Sequence, residues 1–146
     1  PQLFSKLSAC AEDIKKIVAA RHAIPDELPR TIVWQGNPND TQKPREVAVE
    51  YYQHFLTFYM NTNDEIRQQV IKQIKLLGER GPQYHSVNSK LMPLALYHTP
   101  ARSFWSMVNA KGIRFTWRLD GDVLIFFDLG GEETIKKVWR SYTSRR

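Results

Sequence analysis

The chain has 146 residues, of which 42% are hydrophobic and 12% aromatic, and its net charge is +6. This composition supports a folded core and excludes a disordered protein, and the length suits a single domain over residues 1–146. No apolar run approaches the roughly 20 residues that span a bilayer, so we expect no transmembrane segment. The positive charge favours an acidic partner, nucleic acid or anionic lipid.

Cysteine and histidine do not form a pattern of metal ligands. A single cysteine, Cys10, excludes a disulfide scaffold and a four-cysteine zinc site within the chain. The histidines, His22, His54, His85 and His98, show none of the spacings of metal ligands, so we predict no metal site and no cofactor. No serine or cysteine stands in the context of a nucleophile, and no catalytic residue is assigned.

The first predicted helix spans Gln2–Arg21. Its apolar residues recur at three- and four-residue spacing, namely Leu3, Leu7, Cys10, Ile14, Ile17 and Val18. A long polar connection, His22–Lys43, follows, and Thr31–Trp34 within it is predicted to be a short extended piece. Connections of this length usually wrap a surface or bind something.

The next two predicted helices form a helical hairpin. The first, Pro44–Asn61, begins at a proline that suits a first turn, and its aromatic residues fall within one arc of the helix: Tyr51, Tyr52, Phe55, Phe58 and Tyr59. The second, Asp64–Glu79, is preceded by a capping box at Thr62–Glu65. Because the gap between the two helices is short, we expect them to be antiparallel neighbours.

Two more helices are predicted in the last third of the chain. One begins at Thr99, a candidate N-cap followed by Pro100, and runs to Lys111. The other, Glu132–Thr143, carries acids in its first turn and basic residues near its end, which suits the helix macrodipole.

The segment Ile113–Leu129, between these helices, predicts a β-hairpin. Apolar residues alternate up to Asp120-Gly121, a pair typical of a type I′ turn, and an apolar strand follows. With this turn, Trp117 faces Leu124 and Phe115 faces Phe126. The whole pattern predicts an α+β fold that is mostly helical, with an N-terminal helical hairpin, a helix, an antiparallel β-hairpin and a C-terminal helix.

The first functional hypothesis rests on the second face of the hairpin. This face is half basic and half apolar, and its candidate partner-binding residues are Arg114, Thr116, Arg118, Ile125 and Phe127. A bare surface rarely carries such a row of apolar side chains, so this chain or a partner must cover it. The hypothesis is a non-catalytic accessory or assembly subunit that binds other protein subunits, intracellular and in one version mitochondrial.

Nucleic-acid binding is the alternative from a different class. The predicted helix to Lys111 and the hairpin resemble the recognition helix and wing of a winged helix, although the acidic turn and the long Gly81–His98 connection count against this resemblance. The candidate phosphate-binding residues for RNA or DNA are Arg102, Lys111, Arg114, Arg118, Lys136, Lys137, Arg140, Arg145 and Arg146.

A third hypothesis is a small enzyme with a site of tyrosine and histidine side chains. Two Tyr-His pairs, Tyr84-His85 and Tyr97-His98, lie in the segment between the predicted helices. This hypothesis requires the four side chains to meet around one cleft.

Overall fold

The computed structural model describes residues 24–35, 44–91 and 103–143, with side chains described up to Lys137. Within these residues, six strands form one mixed sheet and three helices accompany it. The predicted helix Gln2–Arg21 lies outside the described residues. The prediction of a mostly helical fold led by a helical hairpin is wrong, because two of the predicted helices contain strands.

The strands are β1 (Thr31–Trp34), β2 (Arg45–Tyr51), β3 (Lys90–Leu91), β4 (Phe104–Met107), β5 (Arg114–Asp120) and β6 (Val123–Gly130). The helices are α1 (Gln53–Asn61), α2 (Asp64–Arg80) and α3 (Glu132–Thr143). The strand order across the sheet is β1-β2-β6-β5-β4-β3. Strands β2 and β6 are parallel, and every other neighbouring pair of this sheet is antiparallel.

Strand β2 occupies the first half of the predicted helix Pro44–Asn61. Val47 and Val49 are buried and their neighbours are exposed, which is the two-residue period of a strand with one face in the core. The aromatic arc that suggested one long helix is divided between two elements, since Tyr51 ends β2 and α1 begins at Gln53. The β-branched valines therefore outweigh the helical spacing of the aromatic residues.

The predicted helix Thr99–Lys111 is also wrong over its described part, where Phe104–Met107 forms β4. This strand lies between β3 and β5, with hydrogen-bonded neighbours on both sides. In its middle, Ser106 Oγ accepts a hydrogen bond from Trp117 Nε1 at 2.8 Å and lies 2.6 Å from Ser89 Oγ. The capping signal at Thr99 is local in the sequence. It carries no information about the pairing of β4, because the partner strands lie elsewhere in the chain.

Three other predicted elements are present. The extended piece Thr31–Trp34 is β1, and the C-terminal helix spans Glu132–Thr143 as expected. Helix α2 begins after Asn63, whose side-chain oxygen accepts the backbone N–H of Ile66 at 2.9 Å. This N-cap satisfies one of the backbone donors left free at a helix start.

The hairpin is present, but its turn lies one residue later than predicted. Asp120 pairs with Val123, so Gly121 and Asp122 form the turn. Of these two residues only Gly121 has a positive φ, +58°, as in a type II′ turn, where the first central position is left-handed. Trp117 consequently faces Phe126 rather than Leu124.

The main core lies on the face of the sheet that α2 covers. It includes the apolar side chains of the hairpin's first face, with Trp117 stacked on Phe104 at 4.9 Å between ring centroids and tilted against Trp34 at 5.8 Å. One polar side chain of α2, Gln73, is buried there, and its Nε2 donates to the backbone oxygens of Ser86 and Met107 at 2.9 and 2.8 Å. The core thus ties α2 to β4 by hydrogen bonds as well as by packing.

Candidate functional site

A β-bulge in the hairpin places two consecutive residues of β6 on the same face of the sheet. The register shifts between Thr116 and Trp117, so Thr116 pairs with Asp128 and Phe127 is the extra residue. Side chains normally alternate between the faces of a strand, and a bulge interrupts this alternation. Phe127 packs against Ile135 of α3, and Asp128 bonds to Thr116, so both side chains lie opposite the main core.

The carboxylate of Asp128 is buried and is held by Thr116. Its side chain is 3% exposed. Thr116 Oγ1 donates to Asp128 Oδ2 at 3.1 Å and accepts the backbone N–H of Asp128 at 3.0 Å. A buried charge is tolerated only where polar partners replace water, and Thr116 supplies one of them. The other carboxylate oxygen, Oδ1, faces α1.

The parallel pairing of β2 and β6 brings His54 to this carboxylate. Tyr51 lies opposite Phe126, and both strands run in the same direction, so the residues that follow them reach the same place. His54, in the first turn of α1, places Nδ1 3.3 Å from Asp128 Oδ1. A carboxylate at one ring nitrogen orients an imidazole, which suits the other nitrogen to proton transfer.

His54 and Asp128 belong to the lining of a cleft of about 360 Å³ between α1, the end of β6 and the start of α3. Its other lining residues are Thr57, Phe58, Asn61, Leu129, Thr134 and Ile135. The α1 residues follow one another at three- and four-residue spacing, so they share one face of the helix. Small-molecule sites have this size and this mixture of apolar walls with a few polar groups.

The described part of the chain contributes little charge to the cleft, because none of its lysine, arginine or glutamate residues belongs to the lining. The nearest part of α3 carries its charges outside the lining. Lys136 Nζ lies 3.5 Å from Glu132 Oε1, and Arg114 Nη1 lies 3.4 Å from Glu132 Oε2. Lys137 is exposed and follows Thr134 by three residues, which places it on the same side of α3.

The predicted partner-binding residues are neighbours on the second face of the hairpin, which the chain itself covers in part. These residues are Arg114, Thr116, Arg118, Ile125 and Phe127. Thr116 and Phe127 are fully buried, and Phe127 packs against Ile135 of α3. The Arg114 guanidinium lies 3.6 Å from the centre of the Trp105 ring, and Arg118 is paired with Asp120 at 2.7 Å. Their role in binding a partner stays a prediction.

The residues predicted to bind nucleic acid are only partly described. Arg102, Arg145 and Arg146 lie outside the described residues, as does the side chain of Arg140. Lys111 and Lys137 are exposed. Arg114, Arg118 and Lys136 are half-buried and take part in the ion pairs of the hairpin and α3. Their binding of nucleic acid stays a prediction.

The Tyr-His pair that the structure describes does not line the cleft. Tyr84 and His85 follow α2, with their rings 4.3 Å apart, and neither lines the cleft. Tyr97 and His98 lie outside the described residues. In the part of the chain that the structure describes, no group of three or more histidine, cysteine or acidic side chains could hold a metal ion.

Sequence reasoning did not identify His54 and Asp128, because they lie far apart in the chain and a parallel strand pair joins them. One signal was available. Asp128 ends a continuous apolar run, Val123–Phe127, and an acid at that position of a buried strand needs a partner. No comparable signal singles out His54 from the other histidines.

No protein-family model and no curated protein matches the sequence. Among solved structures, the chain resembles a YoeB–YefM complex from Staphylococcus aureus, with 9% identity, a TM-score of 0.47 and coverage of 57% of this chain and 94% of that one. It also resembles a YoeB/ParE toxin from Agrobacterium tumefaciens, with 14% identity, a TM-score of 0.45 and coverage of 57% and 95%.

A third similar structure is a copper-bound mutant toxin from Helicobacter pylori, with 12% identity, a TM-score of 0.43 and coverage of 60% of this chain and 97% of that one. Each similarity covers little more than half of this chain. Because function belongs to sites rather than to folds, the side chains of this chain have to carry any functional conclusion.

The hypothesis of a non-catalytic assembly subunit is wrong. One of its grounds was a hairpin face that needed a partner's cover, and in this chain Thr116 and Phe127 of that face are already buried, with Phe127 packed against Ile135 of α3. The prediction of a mitochondrial subunit depended on this hypothesis and is not supported. The alternative of a nucleic-acid-binding helix and hairpin is also wrong as stated, because a strand precedes the hairpin where a recognition helix was expected.

The sequence also predicts that the chain has no transmembrane segment and that it binds other proteins. Among the described residues, no helix has both the length and the apolar content needed to cross a membrane. That the chain binds a protein partner stays a prediction.

Proposed function

We propose that the protein cleaves RNA at the cleft, with His54 as the general base and Asp128 as the carboxylate that orients it. The observation that carries this proposal is the 3.3 Å approach of His54 Nδ1 to the buried Asp128 Oδ1, at a cleft whose lining holds no further charged side chain among the described residues. Histidine is the side chain that most often transfers protons in enzymes. A buried aspartate behind it supplies the orientation that such a base needs.

The substrate class follows from the contrast between the cleft and the rest of the chain. A nucleobase is flat and uncharged, and the cleft offers apolar walls that include Phe58 and Leu129. Asn61 Nδ2 donates to Thr57 O at 2.7 Å, which leaves the amide oxygen of Asn61 for the edge of a base. A phosphate backbone is anionic, which suits a chain of net charge +6 and the exposed Lys137 beside the cleft.

RNA also suits a site that provides a base. Its ribose 2′-hydroxyl is the nucleophile, so the protein needs only to remove that proton and to position the adjacent phosphate. In the proposed reaction, His54 Nε2 takes the proton and the 2′-oxygen attacks the phosphorus. The bond from phosphorus to the 5′-oxygen breaks, and the leaving oxygen takes a proton from water. The products are a 2′,3′-cyclic phosphate and a 5′-hydroxyl end.

The test is the cleavage of a labelled single-stranded RNA by the full chain, with the DNA of the same sequence as a control substrate. We expect His54→Gln and Asp128→Asn to lower the cleavage rate, the former by about 100- to 10,000-fold, which is the usual contribution of a general base. His85→Gln is the matched control, because His85 is exposed and does not line the cleft. Circular dichroism checks that the variants are folded.

Two results would contradict the proposal. The first is an intact RNA after incubation with the wild-type chain. The second is cleavage by His54→Gln at the rate of the wild type, which would assign the activity to another site or to a contaminant.

A further inference from the structure

Tyr52 is an exposed aromatic side chain that lies directly before the helix that carries His54. It is the N-cap residue of α1 and is 45% exposed. Its ring meets Phe127 edge-on, with centroids 4.7 Å apart and an interplanar angle of 84°. Phe127 is itself fixed by packing against Ile135. The Tyr52 ring is therefore both accessible and held in one orientation.

The position of Tyr52 relative to the cleft follows from two adjacent contacts. Tyr52 meets Phe127, and His54 meets the next residue of β6, Asp128, whose Cα atom is about 3.8 Å farther along the chain. The bulge keeps Phe127 and Asp128 on the same face. Since the α1 residues that line the cleft run from His54 to Asn61, Tyr52 lies on the other side of His54.

We propose that Tyr52 stacks on the base that neighbours the one in the cleft, so that the chain binds two successive unpaired nucleotides with His54 between them. This inference rests on the proposed function for the chemical class of the ligand. Stacking on an aromatic ring accepts any base, because every base has a π-face. Such stacking requires bases that are splayed out of a duplex, so the substrate is single-stranded and the Tyr52 side tolerates any sequence.

The arginine nearest to the ring that holds Tyr52 belongs to an ion pair. The Arg118 guanidinium lies 5.7 Å from the centre of the Phe127 ring, the ring that holds Tyr52, and is half-buried beside Asp120. Because Asp120 offsets the charge of Arg118, the net charge of +6 of the whole chain is what favours an anionic strand over a basic ligand.

The test is equilibrium binding of a 2′-fluoro dinucleotide and of the corresponding single nucleoside to the full chain, measured by calorimetry. The fluorine replaces the 2′-hydroxyl, so no cleavage interferes. We expect Tyr52→Ala to weaken dinucleotide binding by about 5- to 100-fold and to leave nucleoside binding within twofold. Tyr52→Phe keeps the ring and should bind the dinucleotide within twofold of the wild type. Met60→Ala, at another exposed apolar residue of α1, is the matched control.

Unchanged dinucleotide binding by Tyr52→Ala would overturn the proposal, and so would an equal loss for the nucleoside and the dinucleotide. A wild-type chain that binds neither ligand would remove the proposed function and this inference together. Dinucleotide binding that depends on Tyr52, combined with RNA cleavage that does not depend on His54, would instead retain the stacking residue and contradict the catalytic assignment.

Discussion

Phe127 and Asp128 are neighbours in the chain, yet both side chains lie on the face of the sheet opposite the main core. One extra residue in β6 produces this arrangement, because a regular strand would turn Asp128 towards the apolar core. Instead, the carboxylate meets Thr116 on β5 and His54 on α1. The candidate site therefore depends on an irregularity of the sheet.

The hydroxyl of Thr116 should stabilise the folded protein through Asp128. Thr116→Val keeps the shape of the side chain but removes a hydrogen bond from a buried carboxylate. We expect a loss of about 1–3 kcal/mol in the free energy of unfolding, measured by urea denaturation. Thr31→Val, at an exposed position of β1, is the control and should change this quantity by less than about 0.5 kcal/mol. Equal urea midpoints for Thr116→Val and Thr31→Val would contradict the stabilisation of the Asp128 carboxylate by Thr116.

Added bulk at the cleft should block activity without unfolding the chain. Thr134 lines the cleft and is exposed, so Thr134→Phe places a ring in the cleft at little cost in stability. We expect RNA cleavage to fall by at least about tenfold, with a change in unfolding free energy of less than about 0.5 kcal/mol. Glu133→Phe changes the preceding exposed residue, which does not line the cleft, and should retain most of the activity. Equal activities of the two variants would argue against the cleft as the site.

Gly78 should resist substitution, because α2 approaches β1 closely there. A Cβ atom at this position would lie 2.9 Å from the backbone oxygen of Val33. Alanine favours helix by about 1 kcal/mol over glycine, but overpacking costs about 1–3 kcal/mol, so we expect Gly78→Ala to be net destabilising. At Gly131 a Cβ atom would meet nothing within 4 Å, so Gly131→Ala is the control. A thermal melt that shows Gly78→Ala to be the more stable variant would contradict the close contact.

The buried Tyr59 and the partly buried Tyr51 should make the fold sensitive to high pH. Burial, followed by the hydrogen bond to Glu27, raises the pKa of Tyr59 above its ordinary value of 10.0, and burial raises the pKa of Tyr51 in the same way. Because the unfolded chain loses these protons first, the stabilisation is complete below pH 10 and decreases as the pH rises above it. Each tyrosine contributes a slope of up to about 1.4 kcal/mol per pH unit.

Substitution of one tyrosine tests this pH dependence. Tyr59→Phe should give a shallower decrease of unfolding free energy between pH 10 and 11 than the wild type shows, measured by urea denaturation at each pH. At pH 7 the same variant should show only the loss of the hydrogen bond to Glu27, about 1 kcal/mol. An unchanged slope in Tyr59→Phe would show that another group controls the alkaline transition.

The elements that the sequence predicts correctly are those with strong local signals. Alternating apolar residues and an Asp-Gly pair identify the hairpin, and the capping box predicted at Thr62–Glu65 marks the start of α2, although the N-cap is Asn63 rather than Thr62. The turn residue was misplaced because Asp120-Gly121 fits a type I′ turn, whereas the chain uses Gly121 at the first position of a type II′-like turn. Strand β4 was missed because its partners, rather than its own residues, determine it.

The candidate site could not be predicted for a related reason. Its two main groups meet only because β2 lies parallel to β6 and because one residue is inserted at Phe127. Neither feature has a local signature: the alternation of Val47 and Val49 was obscured by the aromatic residues of α1, and the bulge follows from pairing with Thr116. Long-range pairing therefore creates the site from residues that look ordinary in the sequence.

The most direct test of the central claim uses a DNA oligonucleotide that contains a single ribonucleotide. If His54 activates a ribose hydroxyl, the wild-type chain cuts only after that ribonucleotide and leaves a 2′,3′-cyclic phosphate, which mass spectrometry identifies. His54→Gln then gives no product over the same time. Cleavage at deoxyribonucleotides, or the same product at the same rate from His54→Gln, would contradict the assignment of His54 as the general base.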